Sequence, residues 1–105
     1  MINIEFDDKK VSGGEISSVS DAIQKIVAET TQIADVFVYA NTSKIKVKIA
    51  PIEIWVRMSA HKIKDEDKLI AEFREKLSIW KKKNKFKHPI NLTLIPMKWK
   101  IEIGI

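Results

Sequence analysis

The feature that most constrains the fold of this chain is a strand-helix-strand pattern that occurs twice, with an offset of about 50 residues. Ile2, Ile4 and Phe6 alternate with polar residues, which predicts a half-buried strand. A helix is predicted from about Ser17 to Thr30. Its apolar residues fall at helical spacing on one face: Val19, Ala22, Ile23, Ile26 and Val27.

The rest of the first half is predicted to contain two adjacent strands. Asp7 to Gly14 is interpreted as a turn, and Ser18 with Asp21 as the capping box of the helix. Residues 34–40 are rich in β-forming side chains, and residues 44–49 alternate Lys with Ile or Val without interruption.

The second half repeats this order of elements. Pro51 interrupts the chain, and the apolar parity shifts from odd to even, so that a new strand is predicted to begin at Ile52. Asp65 is a good N-cap for a helix that ends in the cationic segment 81–84. Segments 90–95 and 97–105 then alternate as two more strands, separated by Pro96.

Together these elements predict an α+β fold in a single domain, residues 1–105, made of two pseudo-repeats, 1–50 and 51–105. Each repeat is a β-α-β-β unit. Strands joined through a helix should be parallel, and both helices should pack on one face of a shared mixed sheet. A ferredoxin-like fold is the main structural alternative.

Composition narrows the class of protein further. Hydrophobic residues make up 45% of the chain and charged residues 31%, which predicts a folded core rather than disorder. There is no cysteine, and the two histidines are far apart, so neither a cofactor nor a metal site is predicted. Apolar runs are too short to span a bilayer, and a cytoplasmic location is expected.

The two halves also resemble a known family. Segment 51–58, a polar loop, a helix opened by Asp65-Glu66-Asp67 and then segment 90–95 look like one unit of the 4-oxalocrotonate tautomerase type. Two such units in tandem resemble the longer members of the tautomerase superfamily, such as 5-carboxymethyl-2-hydroxymuconate isomerase and macrophage migration inhibitory factor. The resemblance implies a four-stranded sheet backed by two helices, assembled as a homotrimer.

The chain departs from this family at the catalytic residue. Family members use an N-terminal Pro as the base, whereas this chain begins with Met1 and Ile2. The bulky Ile2 is expected to block removal of Met1, and the nitrogen of Pro51 is acylated within the chain. Met1 is therefore the candidate catalytic residue, because its primary α-amine titrates near neutral pH.

Substrate-binding candidates follow from the same resemblance. The tautomerase unit often has Gly-Arg after its first strand to bind a substrate carboxylate, and this chain has Ala60-His61-Lys62 there. His61, Lys62 and the strand residue Tyr39 are the candidates for contacting a small anionic molecule. The bidentate geometry of an arginine is lost at this loop.

The leading hypothesis is therefore a divergent tautomerase or isomerase that acts on a small unsaturated oxo-acid without the usual Pro catalysis. The alternative is a non-catalytic module, either ferredoxin-like or a basic module that binds nucleic acid or another partner. The chain carries a net charge of +5, and its densest basic cluster, 81–88, has Phe86 within it. A solvated helix end has the same composition.

Overall fold

A computed structural model describes all 105 residues of the chain, from Met1 to Ile105. No helix in it is both long and apolar enough to cross a membrane. Four strands and two long helices are present, with one 3₁₀ turn at Ala60–Lys62. In chain order the main elements are β1 (Ile2–Phe6), α1 (Gly13–Thr31), β2 (Val38–Asn41), β3 (Ile52–Ser59), α2 (Glu66–Asn84) and β4 (Asn91–Met97).

The strands form one mixed sheet in the order β2-β1-β3-β4. β1 is parallel to β2, and β3 is parallel to β4, as expected for strands that are joined through a helix. β1 and β3 are antiparallel in the centre, where Ile4 faces Ile54. The predicted α+β fold, with one mixed sheet and both helices on one sheet face, is confirmed.

The core lies between the helices and one face of this sheet. Even-numbered residues of the two central strands point into it, while odd-numbered ones are partly exposed on the other face, hereafter the open face. Phe73 and Leu77 of α2 complete the core from the second helix. The buried residues of β1, β3 and α1 are Ile2, Ile4, Ile52, Ile54, Val56, Met58, Ile16, Val19, Ala22, Ile23 and Val27.

α1 begins at Gly13, four residues before the predicted start. Its N-cap is Ser12, whose hydroxyl accepts from the backbone N–H of Glu15, and the Glu15 carboxylate accepts from the backbone N–H of Ser12. The predicted capping box at Ser18 and Asp21 is therefore wrong, because both residues lie inside the helix. Gly13 and Gly14 resembled a turn, but a first helical turn whose N–H groups are capped by a side chain tolerates them.

α2 agrees with the prediction at both ends. The Asp65 carboxylate accepts from the backbone N–H of Lys68 at 3.1 Å, and the helix ends at Asn84. Lys85 follows in the left-handed region at φ 54°, and its N–H bonds to the last carbonyls of the helix.

Two predicted strands are absent. Segment 44–49 does not pair with any strand, and β4 continues through Pro96 before the chain leaves the sheet after Met97. Pro96 is tolerated because β4 is an edge strand. Both segments alternate, but their apolar side chains find no layer to cover them: Ile45, Val47, Ile101, Ile103 and Ile105 are 68% or more exposed. The units are thus β-α-β rather than β-α-β-β. β2 is also shorter than predicted, at four residues.

Candidate active site

The N-terminus lies at one end of the antiparallel pair β1–β3, where Met1 extends the ladder of backbone hydrogen bonds by one residue. The Met1 amine donates to the Arg57 carbonyl at 2.9 Å, and the Arg57 backbone N–H donates to the Met1 carbonyl at 2.8 Å. On the other side, the Ile2 N–H donates to the Phe37 carbonyl at 2.8 Å. The amine is thus fixed between the start of β2 and the second half of β3.

The environment of this amine changes its proton affinity. Partial burial, and next the positive charge of Arg57, hold the pKa of the Met1 α-amine below its ordinary value. A larger fraction of the amine is therefore neutral at a given pH, and only the neutral form accepts a proton. The amine is chemically suited to act as a base near neutral pH.

The side chain of Arg57 is held on the open face of the sheet. Its guanidinium donates to the Asn3 side-chain oxygen, and Asn3 is in turn the register partner of Tyr39 on β2 and of Trp55 on β3. No carboxylate forms an ion pair with Arg57. The chain has two ion pairs, and they join Lys46 to Asp8 and His88 to Glu15. The remaining donors of the guanidinium are free to bind a carboxylate in bidentate geometry.

The structure brings some predicted site residues together and separates others. Tyr39 is 51% exposed and lies beside Asn3 on the open face, one strand away from Met1. His61 follows the end of β3, where its Nδ1 lies 2.7 Å from the Ser59 hydroxyl. Lys62 lines a different cavity, of about 380 Å³, between the end of α1 and the start of α2.

Arg57 and Asn3 were missed by the sequence prediction. A signal for Arg57 existed: it is one of two arginines among 19 basic residues, and it occupies an outward position of an alternating strand. The sequence did not predict the register of β1 against β3, and this register places Arg57 opposite Met1. The sequence prediction sought a cation in the loop after β3, whereas the structure places one within the strand.

The open face also carries a cavity toward the other end of the β1–β3 pair, away from Met1. It has a volume of about 370 Å³ and is lined in part by Lys48, Trp55 and the carboxylates of Glu5 and Glu53. Those two carboxylates are register partners on β1 and β3. No group of three or more His, Asp or Glu side chains is placed to hold a metal ion. The Met1 end, in contrast, is a shelf open to solvent, and the Met1 residue is 47% exposed.

Comparisons with known proteins identify the fold. No protein-family model and no curated protein matches the sequence. Malonate semialdehyde decarboxylase superposes on this chain with a TM-score of 0.71. That protein is described with decarboxylase and hydratase activities, and with a variant in which the proline at position 1 is replaced by alanine. The two sequences are 11% identical, and the match covers 100% of this chain and 92% of that one.

Two further solved structures match with similar coverage. Ps01740 has a TM-score of 0.64 at 12% identity, over 96% of this chain and 98% of that one. RhCC from Rhodococcus jostii RHA1 has a TM-score of 0.51 at 14% identity, over 96% of this chain and 81% of that one. All three are tautomerase-superfamily structures. The chain therefore has the tautomerase-superfamily fold, which confirms the fold that the sequence resemblance implied.

Proposed function

We propose that this protein is a divergent tautomerase in which the Met1 α-amine replaces the N-terminal proline as the proton-transferring base. The observation that carries this proposal is the pairing of two groups. An α-amine with a lowered pKa lies beside a guanidinium that has no carboxylate partner. Proton transfer on an oxo-acid needs such a base and a cation to bind the acid group.

The proposed reaction is keto-enol isomerisation of a small unsaturated oxo-acid. Arg57 binds the substrate carboxylate, and the neutral Met1 amine accepts the proton of the enol hydroxyl. The resulting ammonium returns a proton to the conjugated carbon, so that the amine is neutral again and no electrons are gained or lost overall. Because the reactive form is the neutral amine, the rate should fall as the pH falls through the lowered pKa of Met1.

Tyr39 and His61 are proposed to contact the substrate from two sides of this shelf. Tyr39 lies on the β2 side of Asn3. His61 is positioned by Ser59, which lies two residues beyond Arg57 on the open face. Lys62 is assigned a weaker role, through charge only, because its cavity lies on the helical side of the sheet.

A homotrimer is proposed as the active assembly. The Met1 shelf is open to solvent, and a second copy of the chain would supply its missing wall and exclude water. The single chain also exposes aliphatic side chains that contact between copies would bury. They are Ile101, Ile103 and Ile105 in the C-terminal segment, with Ile45 and Val47 in the loop before β3.

Blocking the amine tests the catalytic proposal. Isomerisation of 2-hydroxymuconate and of phenylenolpyruvate is followed by absorbance, before and after acylation of the chain near pH 6.5. At this pH lysine amines are protonated, so that Met1, with its lowered pKa, reacts first. Loss of one general base should reduce the rate by about 100-fold or more.

The control is a chain whose α-amine is already acetylated during expression and which then undergoes the same treatment. Intact mass and peptide mapping establish that Met1 is the first residue and that it alone is modified. An unchanged rate after complete modification of Met1 would eliminate the amine as the base.

A further inference from the structure

The helical layer carries a dense group of cations that the proposed active site does not use. Segment 81–90 contains five lysines and no Asp or Glu. Neither ion pair of the chain involves any of these lysines. Lysines in the last turn of a helix complement its dipole, but Lys85 and Lys87 lie beyond the end of α2. The dipole therefore does not account for the whole group.

Lys82, Lys85 and Lys87 are exposed, and Lys82 lies on the side of α2 that faces away from the sheet, whereas Lys81 is half-buried. Lys82 follows the core residue Phe73 by nine residues, which is two and a half turns and therefore the opposite side of the helix. Arg74, Ser78 and Lys82 are spaced by four residues and share this side. The basic surface is defined as Arg74, Lys81, Lys82, Lys85 and Lys87.

Two shallow depressions run along this surface and meet at Ser78 and Lys82. One, of about 500 Å³, is lined by all four lysines of the basic surface together with Ser78 and Phe86. The other, of about 490 Å³, contains Arg74 and one acidic residue, Glu75. The Lys81 amine donates to the His88 carbonyl at 2.6 Å, which leaves four cations of the surface without a polar partner.

We infer that the basic surface binds the phosphate backbone of duplex nucleic acid, independently of the proposed isomerase site. From Arg74 to the end of α2 at Asn84 the helix rises about 15 Å, which spans about five phosphates of one strand at a spacing of about 3.4 Å. Phe86 is half-buried, with its ring 5.2 Å from Trp80 and 5.4 Å from His88. It is therefore not free to stack on a base, as single-strand binding requires.

The position of this surface is compatible with the proposed assembly. It lies on the layer opposite the open face, so copies of the chain that cover the open face leave it accessible. Its contacts are to phosphate alone and should show no sequence preference.

Salt-dependent binding tests the inference. Fluorescence anisotropy with a labelled 20-base-pair duplex of mixed sequence is expected to give a Kd of about 10⁻⁴ to 10⁻⁶ M near physiological salt. Four phosphate contacts predict a log-log salt slope of about −3.6, so raising KCl from 50 to 200 mM weakens binding by about 150-fold.

A matched pair of triple variants localises the contact. Lys82→Gln/Lys85→Gln/Lys87→Gln and the control Lys9→Gln/Lys10→Gln/Lys44→Gln each lower the net charge from +5 by three, to +2. The first should reduce the slope to about −0.9, so that the same salt step weakens binding only about 3-fold. The control should keep the original slope. All six lysines are exposed, and thermal unfolding should confirm that both variants fold.

Several outcomes would overturn the inference. They are no binding to the duplex at 50 mM KCl, an equal loss in the two triple variants, or tighter binding to a single strand than to the duplex. Tighter binding to phosphatidylserine-containing vesicles at equal phosphate concentration would assign the surface to membranes instead.

Discussion

Arg57 links the two halves of the proposed site through both its backbone and its side chain. Its carbonyl accepts from the Met1 amine, and its guanidinium is held by the Asn3 side chain. The guanidinium charge disfavours the ammonium form of Met1, while the same charge would attract a substrate carboxylate. One side chain therefore affects both the basicity of the amine and the binding of the acid.

Replacing Arg57 should separate these effects. Arg57→Gln removes the positive charge and should raise the pKa of the Met1 amine part of the way to its ordinary value, since burial of the amine persists. Arg57→Lys keeps the charge and is the matched control. NMR titration of the ¹³Cα signal of Met1 measures the pKa without needing any activity. Equal pKa values in the wild type and Arg57→Gln would show that the charge has no effect on the amine.

At the scale of the element, the start of α1 depends on a few side chains. Two glycines in the first turn lower its helix propensity, and the reciprocal bonds of Ser12 and Glu15 compensate by satisfying N–H groups at this end. Glu15 also contacts the segment after α2, because its carboxylate lies 2.7 Å from the His88 Nε2. The capping box thus joins the start of α1 to the chain that leads into β4.

Removing the cap should destabilise the chain. Ser12→Ala is expected to reduce the free energy of unfolding by about 1 kcal/mol, which lowers Tm by about 4 to 8 °C in a domain of this size. Ser17→Ala, at an exposed position inside the same helix, is the control and should leave Tm unchanged or slightly raised. Differential scanning calorimetry measures both. A Ser12→Ala variant as stable as the control would contradict a stabilising role for the cap.

Acid should weaken the same element. The backbone N–H of Ser12, followed by the His88 side chain, holds the pKa of Glu15 below its ordinary value of about 4.3. A carboxyl with a lowered folded-state pKa stabilises the fold fully above that ordinary value, and the effect is lost as pH falls through the folded-state pKa. Glu15→Gln should therefore have a lower Tm than the wild type at pH 7, and the difference should close toward pH 2.

The control for this comparison is Glu29→Gln, an exposed carboxylate of the same helix that forms no hydrogen bond or ion pair. It should show little difference at either pH. A difference between wild type and Glu15→Gln that did not change with pH would exclude the carboxylate charge as its cause.

At the scale of the whole molecule, the single chain leaves one face of its sheet uncovered. Helices cover one face, and the open face is bordered by Lys48 and Ile49 of segment 44–49. This segment and the C-terminal segment 98–105 both carry exposed apolar side chains. A chain of this size rarely leaves so many aliphatic side chains in water without a partner surface. Association between copies would bury them and would also close the shelf at Met1.

The assembly prediction is tested by mass. Multi-angle light scattering should give three times 12.1 kDa, which is about 36 kDa. Ile101→Ser/Ile103→Ser should shift the mass toward the monomer, because it removes apolar area from the proposed contact. Ile79→Ser, an equally apolar and exposed position on the helical layer, is the control and should keep the larger mass. A monomeric wild type would exclude the trimer and leave the shelf without its proposed wall.

Much of the fold was determined locally and was therefore predictable. Period-two alternation identified β1 and β3, the Asp65 cap and the lysine-rich end bounded α2, and the parity shift at Pro51 marked the start of a new strand. These signals depend on residues a few positions apart, because strand alternation and helix capping are set by interactions between near neighbours in the chain. The parallel pairing across each helix followed from the length of the connection.

Only the tertiary structure decided whether an alternating segment becomes a strand and which side chains meet. Residues 44–49 alternate as regularly as β1, yet they do not pair, because a strand needs a neighbour and pattern alone cannot supply one. In the same way, Arg57 is 56 residues from Met1 in the chain and becomes its partner only through the register of β1 on β3. The sequence by itself determined the two helices and the central strands β1 and β3, since their signals are local. The candidate site was decided by register, which is set by packing across the whole sheet.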